Sequence, residues 1–406
     1  MNVVFLSPGF PAEMPFFARG LHRAGARVYG IGDQSRAALV PEAQEGLSDY
    51  LQVGSLADEN AVIEAARNWL RGRSIDRVES LWETQMLLAA RMRQQFGVPG
   101  MTVEETVPFR DKERMKQVVE AAGIRVPRHG RARTAAEAWA AVERIGYPAI
   151  VKPIAGAGSK DTHRCNDKGE FARALEATRH VQEVSVEEYI DGEELTFDTV
   201  CAGGEVLYHN VAWYRPKPLV LAQNPWISMQ NIVLREPELG PCRGGAELGR
   251  RVLKALGFQT GFTHMEWFRK PDGEAVFGEI GARAAGARLV HAMNYACDID
   301  LFVGWANAVC HGRLGFPVTR KYNAAMVFKR AQGEGRFVRA HEGLAGLMQR
   351  YGQHVAHLEL TPVGQPRKDW QKVVVGDGWI VVRHPDLAAT LQMADAFGSE
   401  LRVVAG

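Results

Sequence analysis

Two hydrophobic periods share this chain. Val3-Val4-Phe5-Leu6 is a continuous apolar run of strand length, and PFFARGLHRAGA behind it repeats its apolar positions at helical spacing. Val28-Tyr29-Gly30-Ile31-Gly32-Asp33 reads as a second strand, ENAVIEAARNWLRG as a helix, and Ile75-Asp76-Arg77-Val78-Glu79-Ser80 as a further strand. Strands alternating with helices predict a parallel, doubly wound sheet over the first hundred residues. Helical patterns then open at Asp111 (ERMKQVVEAAG) and at TAAEAWAAVERIG, with short strands around Lys152 and Val186. LTFDTV, GFTHMEWF and EAVFGEI are strand-like, 286–312 reads as one long helical stretch, and AAMVFKR, KVVVGDGWIVV and LRVVAG return to strands. The class expected is α/β followed by α+β.

GFTHMEWF and EAVFGEI flank a turn containing Asp272-Gly273, and Asp-Gly between strand-like runs is a strong hairpin signal. With those two residues as the loop, Glu266 stands directly opposite Glu279. Facing carboxylates with Cβ atoms roughly 5 Å apart repel unless a cation lies between them. Hard oxygen ligands on a rigid strand pair suit Mg²⁺ or Mn²⁺ carrying a nucleotide.

Upstream, Tyr147-Pro148-Ala149-Ile150-Val151-Lys152-Pro153 ends in a lysine and is followed by Gly156-Ala157-Gly158-Ser159. Small residues let backbone N–H groups approach a phosphate, and a strand-end lysine adds a point charge. The spacing matches neither the Walker A pattern nor GxGxxG, so the loop alone decides nothing. Val186-Glu187-Glu188-Tyr189-Ile190-Asp191-Gly192-Glu193-Glu194 is an acidic strand end running into a turn. Its acids and exposed backbone groups suit an adenine amino group and ribose hydroxyls; a glutamate-rich surface hairpin has the same pattern.

In order and spacing these residues resemble the ATP-grasp superfamily over about residues 1–310. The resemblance implies ATP and Mg²⁺ or Mn²⁺ as cofactors. Lys112 and Lys152 correspond to its phosphate lysines, Gly156, Gly158 and Ser159 to its lid loop, and Glu187, Glu188, Ile190 and Glu194 to its adenine and ribose segment. Glu266 and Glu279 correspond to its metal carboxylates, and Arg283 to the catalytic basic residue that follows them. Many members carry a metal-binding asparagine where this chain has Gly281, so Glu279 is left to bridge the ions. Both lysines are expected near solvent until nucleotide binds. The implied organisation is an N-terminal α/β lobe (1–108), a lid (109–190), an antiparallel core with the metal site (191–312) and a small α+β lobe (313–406). The implied activity is ADP-forming ligation of a carboxylate to an amine through an acyl phosphate, with amino acids as the first candidates for both substrates. A biotin-carboxylase-like enzyme and a non-catalytic ATP sensor are the alternatives. Ser7, Gly9 and Glu83 occupy loop positions on the substrate side. Arg288, Lys160 and His163 are further basic candidates, and Trp213 to Pro218 reads as a loop.

Composition narrows the partners. The 406 residues exceed one ordinary core. Lys and Arg total 49 against 47 for Asp and Glu, and the basic residues are scattered, so a nucleic-acid partner is not expected. Asp33 at a strand end lacks a glycine fingerprint before it, which argues against a dinucleotide site. Five cysteines without a CxxC pair suggest a reduced, cytoplasmic chain, and no apolar run suggests a signal or a membrane span. A homodimer is left open.

Overall fold

The computed structural model describes residues 1–155, 161–224, 226–369 and 375–406. Its first sheet is parallel, with Asp49–Gln52, Arg27–Gly32, Asn2–Leu6 and Arg77–Glu79 side by side in that order. The continuous apolar run at the start follows from burial on both faces. Val3 and Phe5 face Phe17 and Trp305, while Val4 and Leu6 face the layer of Val62, Leu88 and Met92.

A small antiparallel sheet of His129–Ala132, Val184–Glu188, Ala149–Pro153 and His163–Cys165 carries the helices Ala135–Ile145 and Lys168–Ala177 on one side. The largest sheet is antiparallel and eight-stranded. Its order is Ala275–Gly281, Gly261–Arg269, Glu193–Ala202, Glu205–Arg215, Gln230–Val233, Asn323–Lys329, Gly378–His384 and Val355–Leu360. Three tail strands thus extend the core sheet, while Val338–Glu342 and Arg402–Ala405 pair separately at its edge. Gly245 and Gly249, one turn apart, let the helix Arg243–Ala255 lie directly on Trp267 and Phe197, where a Cβ would come within 2.0 and 2.2 Å.

Several elements differ from the sequence reading. Trp213 to Arg215 end a strand rather than forming a loop, and Pro218–Gln223 is a short helix. The stretch 286–312 is two helices, Leu289–Cys297 and Leu301–His311, broken where Asp298 turns left-handed (φ 53°) and Asp300 caps the second. Part of KVVVGDGWIVV lies outside the described residues, and the strand there is Gly378–His384. No helix among the described residues is long and apolar enough to cross a membrane, and the five cysteines are free.

The hairpin that carries the two glutamates corrects the loop and keeps the pairing. Gly273 (φ 88°) donates to Lys270, and Lys270 donates to Glu274, so the loop is Pro271-Asp272-Gly273 and not Asp272-Gly273 alone. That shifts the near end by one residue, pairing Arg269 with Ala275 and Trp267 with Phe277. A bulge at Gly278 shifts it back, and Glu266 pairs with Glu279. A Cβ on Gly278 would stand 2.8 Å from the Glu266 carbonyl oxygen. Gly278→Ala is therefore expected to cost about 1–3 kcal/mol by overpacking. Urea unfolding of the variant at wild-type stability would refute this.

Candidate functional site

Side chains two apart on a strand share a face, and the pairing of the large sheet collects its polar ones at one end. Glu194, Thr196 and Asp198 lie opposite Phe268, Glu266 and His264; Glu279 lies opposite Glu266, Gly281 opposite His264, and Asn210 opposite Asp198. The same face continues through Val200 and Ala202 into the apolar layer shared with the parallel sheet. One end of the face is a core, the other a polar floor.

Above the floor stands a buried ion cluster. The helix Lys112–Ala121 is capped by Asp111, whose carboxylate accepts from the Glu113 and Arg114 N–H groups. Lys112 and Lys116, one turn apart, project from it together. Lys112 Nζ lies 3.2 Å and Lys152 Nζ 3.6 Å from the same Glu279 oxygen. Lys152 Nζ is also 3.1 Å from Glu187, whose other oxygen meets Lys116 Nζ at 2.9 Å and the Ser185 hydroxyl at 2.9 Å. Burial pushes the Glu279 carboxyl up, but Lys112, Lys152 and Lys116 outweigh it and hold it at about 2. Burial and the neighbouring Glu266 and Glu279 charges raise the Glu194 carboxyl well above the usual carboxylate range.

This differs from the expectation of solvent-facing lysines. Lys112 is 6 % exposed and Lys152 half-buried, because Glu279 and Glu187 already neutralise them. Glu187 differs too: rather than opening toward a base, it lies beneath Lys152 with both oxygens engaged. Glu188 is tied to Arg125 and to the Arg128 N–H. Ile190 is buried, and its neighbour Tyr189 lies under Arg164.

Arg283 bridges lobes. Its Nε donates to Glu83 at 2.8 Å, and Glu83 also pairs with Arg110. A Cβ at Gly281 would approach Arg283 Cγ at 3.1 Å, so the glycine makes room for that side chain. Arg283, Arg110, Glu83, Lys112, His264 and Glu279 line one small cleft.

The other candidates are spread around this centre. Ser7 takes a positive φ (54°) and bonds the Phe10 carbonyl, beside Gly9. Arg288 packs on Phe16 and Trp379, with its N–H on Glu13. His163 lies in the small sheet opposite Val151. Gly156, Gly158, Ser159 and Lys160 lie outside the described residues.

Part of this chain matches a known family. The model of the carbamoyl-phosphate synthase L chain ATP-binding domain matches residues 111–194, from the cap of Lys112 through Glu194. The solved L-amino acid ligase of Bacillus licheniformis has the same fold, with a TM-score of 0.80 at 18% identity over 100% of this chain and 98% of that one. The fold is that of the ATP-grasp ligases, and residues 111–194 carry sequence similarity to an ATP-binding domain. An L-arginine-specific L-amino acid ligase of Bacillus subtilis is 26% identical over 312 residues, 74% of this chain and 73% of that protein. A Sinorhizobium fredii protein, y4rH, is 29% identical over 240 residues; the match takes in 57% of this chain and 48%, about half, of that relative.

From the sequence alone, Lys116, Asp198 and His264 were missed. Lys116 had a signal: it sits between Met115 and Val119 on the apolar face of its helix, where a lysine requires a buried acid. Asp198 and His264 become visible only once the strands are paired. Lys116→Met takes from buried Glu187 one of its two ammonium partners, so it should cost about 1–3 kcal/mol. Adding Glu187→Gln should recover part of that loss; additive losses in denaturant unfolding would contradict the pairing.

Proposed function

We propose that this protein is an ATP-dependent carboxylate–amine ligase, ADP-forming, that joins two amino acids. The observation that supports this most is the meeting of Lys112, Lys152, Glu266, Glu279 and Arg283 at one corner where the helix Lys112–Ala121, the small sheet and the large sheet converge. Facing carboxylates with cations already packed against one of them are a donor set suited to a divalent ion. Held there by Glu266 and Glu279, Mg²⁺ or Mn²⁺ would supply charge neutralisation for phosphoryl transfer.

Lys112 and Lys152 exchange Glu279 for phosphate oxygens of the nucleotide. With the Glu187 and Glu188 carboxylates engaged elsewhere, the base is read by backbone groups between Glu187 and Ile190, and Glu194 takes the ribose hydroxyls. A carboxylate oxygen of the first substrate attacks the γ-phosphorus, the bond to the β-phosphate oxygen breaks, and ADP leaves. The amine nitrogen of the second substrate then attacks the acyl carbon, phosphate departs with the bonding pair, and the nitrogen loses a proton. Arg283 places a forked, permanently charged donor beside the transferring group. Residues 109–190 act as a lid over 191–312 and exclude water. Amino acids as substrates rest on the names of the two Bacillus ligases.

ADP should form only when a carboxylate and an amine are both supplied, with mass spectrometry of paired amino acids finding the amide. Glu279→Gln should lower that turnover about 100-fold or more, as loss of a charged group at a transition-state site does. Full turnover in this variant at ordinary magnesium concentrations would refute the metal assignment.

A further inference from the structure

Asp198 and His264 have no part in the reading above, yet they occupy the floor of the same site. Asp198 is fully buried and His264 is 6 % exposed. One Asp198 oxygen accepts from the Thr196 hydroxyl at 2.6 Å and lies 3.3 Å from the Asn210 amide nitrogen. The other lies 2.6 Å from His264 Nδ1, and His264 Nε2 lies 3.5 Å from Glu266 Oε1. The imidazole is therefore strung between a buried acid and one of the facing glutamates, on the strand position paired with Gly281.

The two facing glutamates are thus restrained by different means. Glu279 is held by Lys112 and Lys152, which approach from the helix and the small sheet and which nucleotide phosphates would draw away. Glu266 is held from below by a ring whose anchor is buried and tied by two further hydrogen bonds, so nothing entering the cleft competes for it. We propose that His264 is a positioning residue: aimed by Asp198, it holds Glu266 Oε1 and turns the remaining oxygen of Glu266 toward the ion shared with Glu279. The inference rests on the ligase reading of the same site. A partner behind the first ligand that fixes its orientation typically contributes 10–100-fold in metal affinity.

The test separates the two ring nitrogens. In His264→Asn the amide stays near Asp198 and no longer reaches Glu266; in His264→Gln a donor is restored near the place of Nε2. Mn²⁺ binding to the ADP-saturated protein is followed by electron paramagnetic resonance, and ADP binding is measured separately in EDTA. His264→Asn should weaken Mn²⁺ about tenfold or more, leave ADP affinity in EDTA within about twofold of wild type on the same argument that only the ion's ligand is disturbed, and be largely rescued in His264→Gln. Wild-type Mn²⁺ affinity in His264→Asn would overturn the proposal, as would an equal loss of ADP affinity in EDTA, which would make His264 a support of the fold alone. Nitrogen hyperfine coupling to Mn²⁺ that disappears in His264→Asn would overturn it in favour of a direct ligand. Wild-type protein that binds ADP but no Mn²⁺ would instead remove the metal site, and with it the ligase reading.

Discussion

Three lysine ammonium groups lie side by side out of water only because carboxylates separate them. Like charges one helical turn apart destabilise a helix, and Lys112 and Lys116 stand in that relation. Their partners come from elsewhere in the chain: Glu187 from the small sheet and Glu279 from the large one. Satisfying the charges therefore fixes the helix, the small sheet and the large sheet against one another, and the mutual placement of the site residues follows from that requirement.

The large sheet meets the rest of the molecule with a divided face. Toward one end its side chains join Phe17, Phe302 and Trp305 beneath the parallel sheet, and the rings pack edge to face at 4.8 to 5.2 Å. Toward the other end the same alternation delivers Glu194, Asp198, Glu266 and Glu279 to the polar floor. Across the boundary, Arg283 reaches Glu83 from the parallel-sheet lobe. Packing holds one end of the lobe and an ion pair the other.

Much of this was legible in the sequence because it is local. The doubly wound start follows from apolar runs alternating with helical periods, and the opposition of Glu266 to Glu279 follows from a turn signal between strand-like runs. That opposition was reached through a loop one residue too short and a bulge at Gly278 that the sequence did not announce; the two offsets cancel at the glutamates and would have misplaced Trp267 and Phe268. What stayed hidden depends on distant pairing. Nothing near Lys116 names Glu187, 71 residues away, and His264 acquires Asp198 only when Gly261–Arg269 joins Glu193–Ala202. Lys112, read as exposed, proved buried and Lys152 half-buried for the same reason, since their neutralising acids belong to other elements.

One oxygen of Glu279 is shared by Lys112 and Lys152, and under the proposed roles that arrangement makes the site a thermodynamic exchange. A phosphate that captures the lysines leaves Glu279 with unbalanced negative charge, and an ion that captures Glu279 leaves the lysines with unbalanced positive charge. Each ligand creates the vacancy the other fills, so by linkage each raises the affinity for the other by the same factor. Polyphosphate without its ion, or ion without polyphosphate, meets a corner whose charges are already satisfied. Discrimination between a complete and an incomplete nucleotide complex is then a property of the empty site's own ion pairs, present before any segment of the chain has moved.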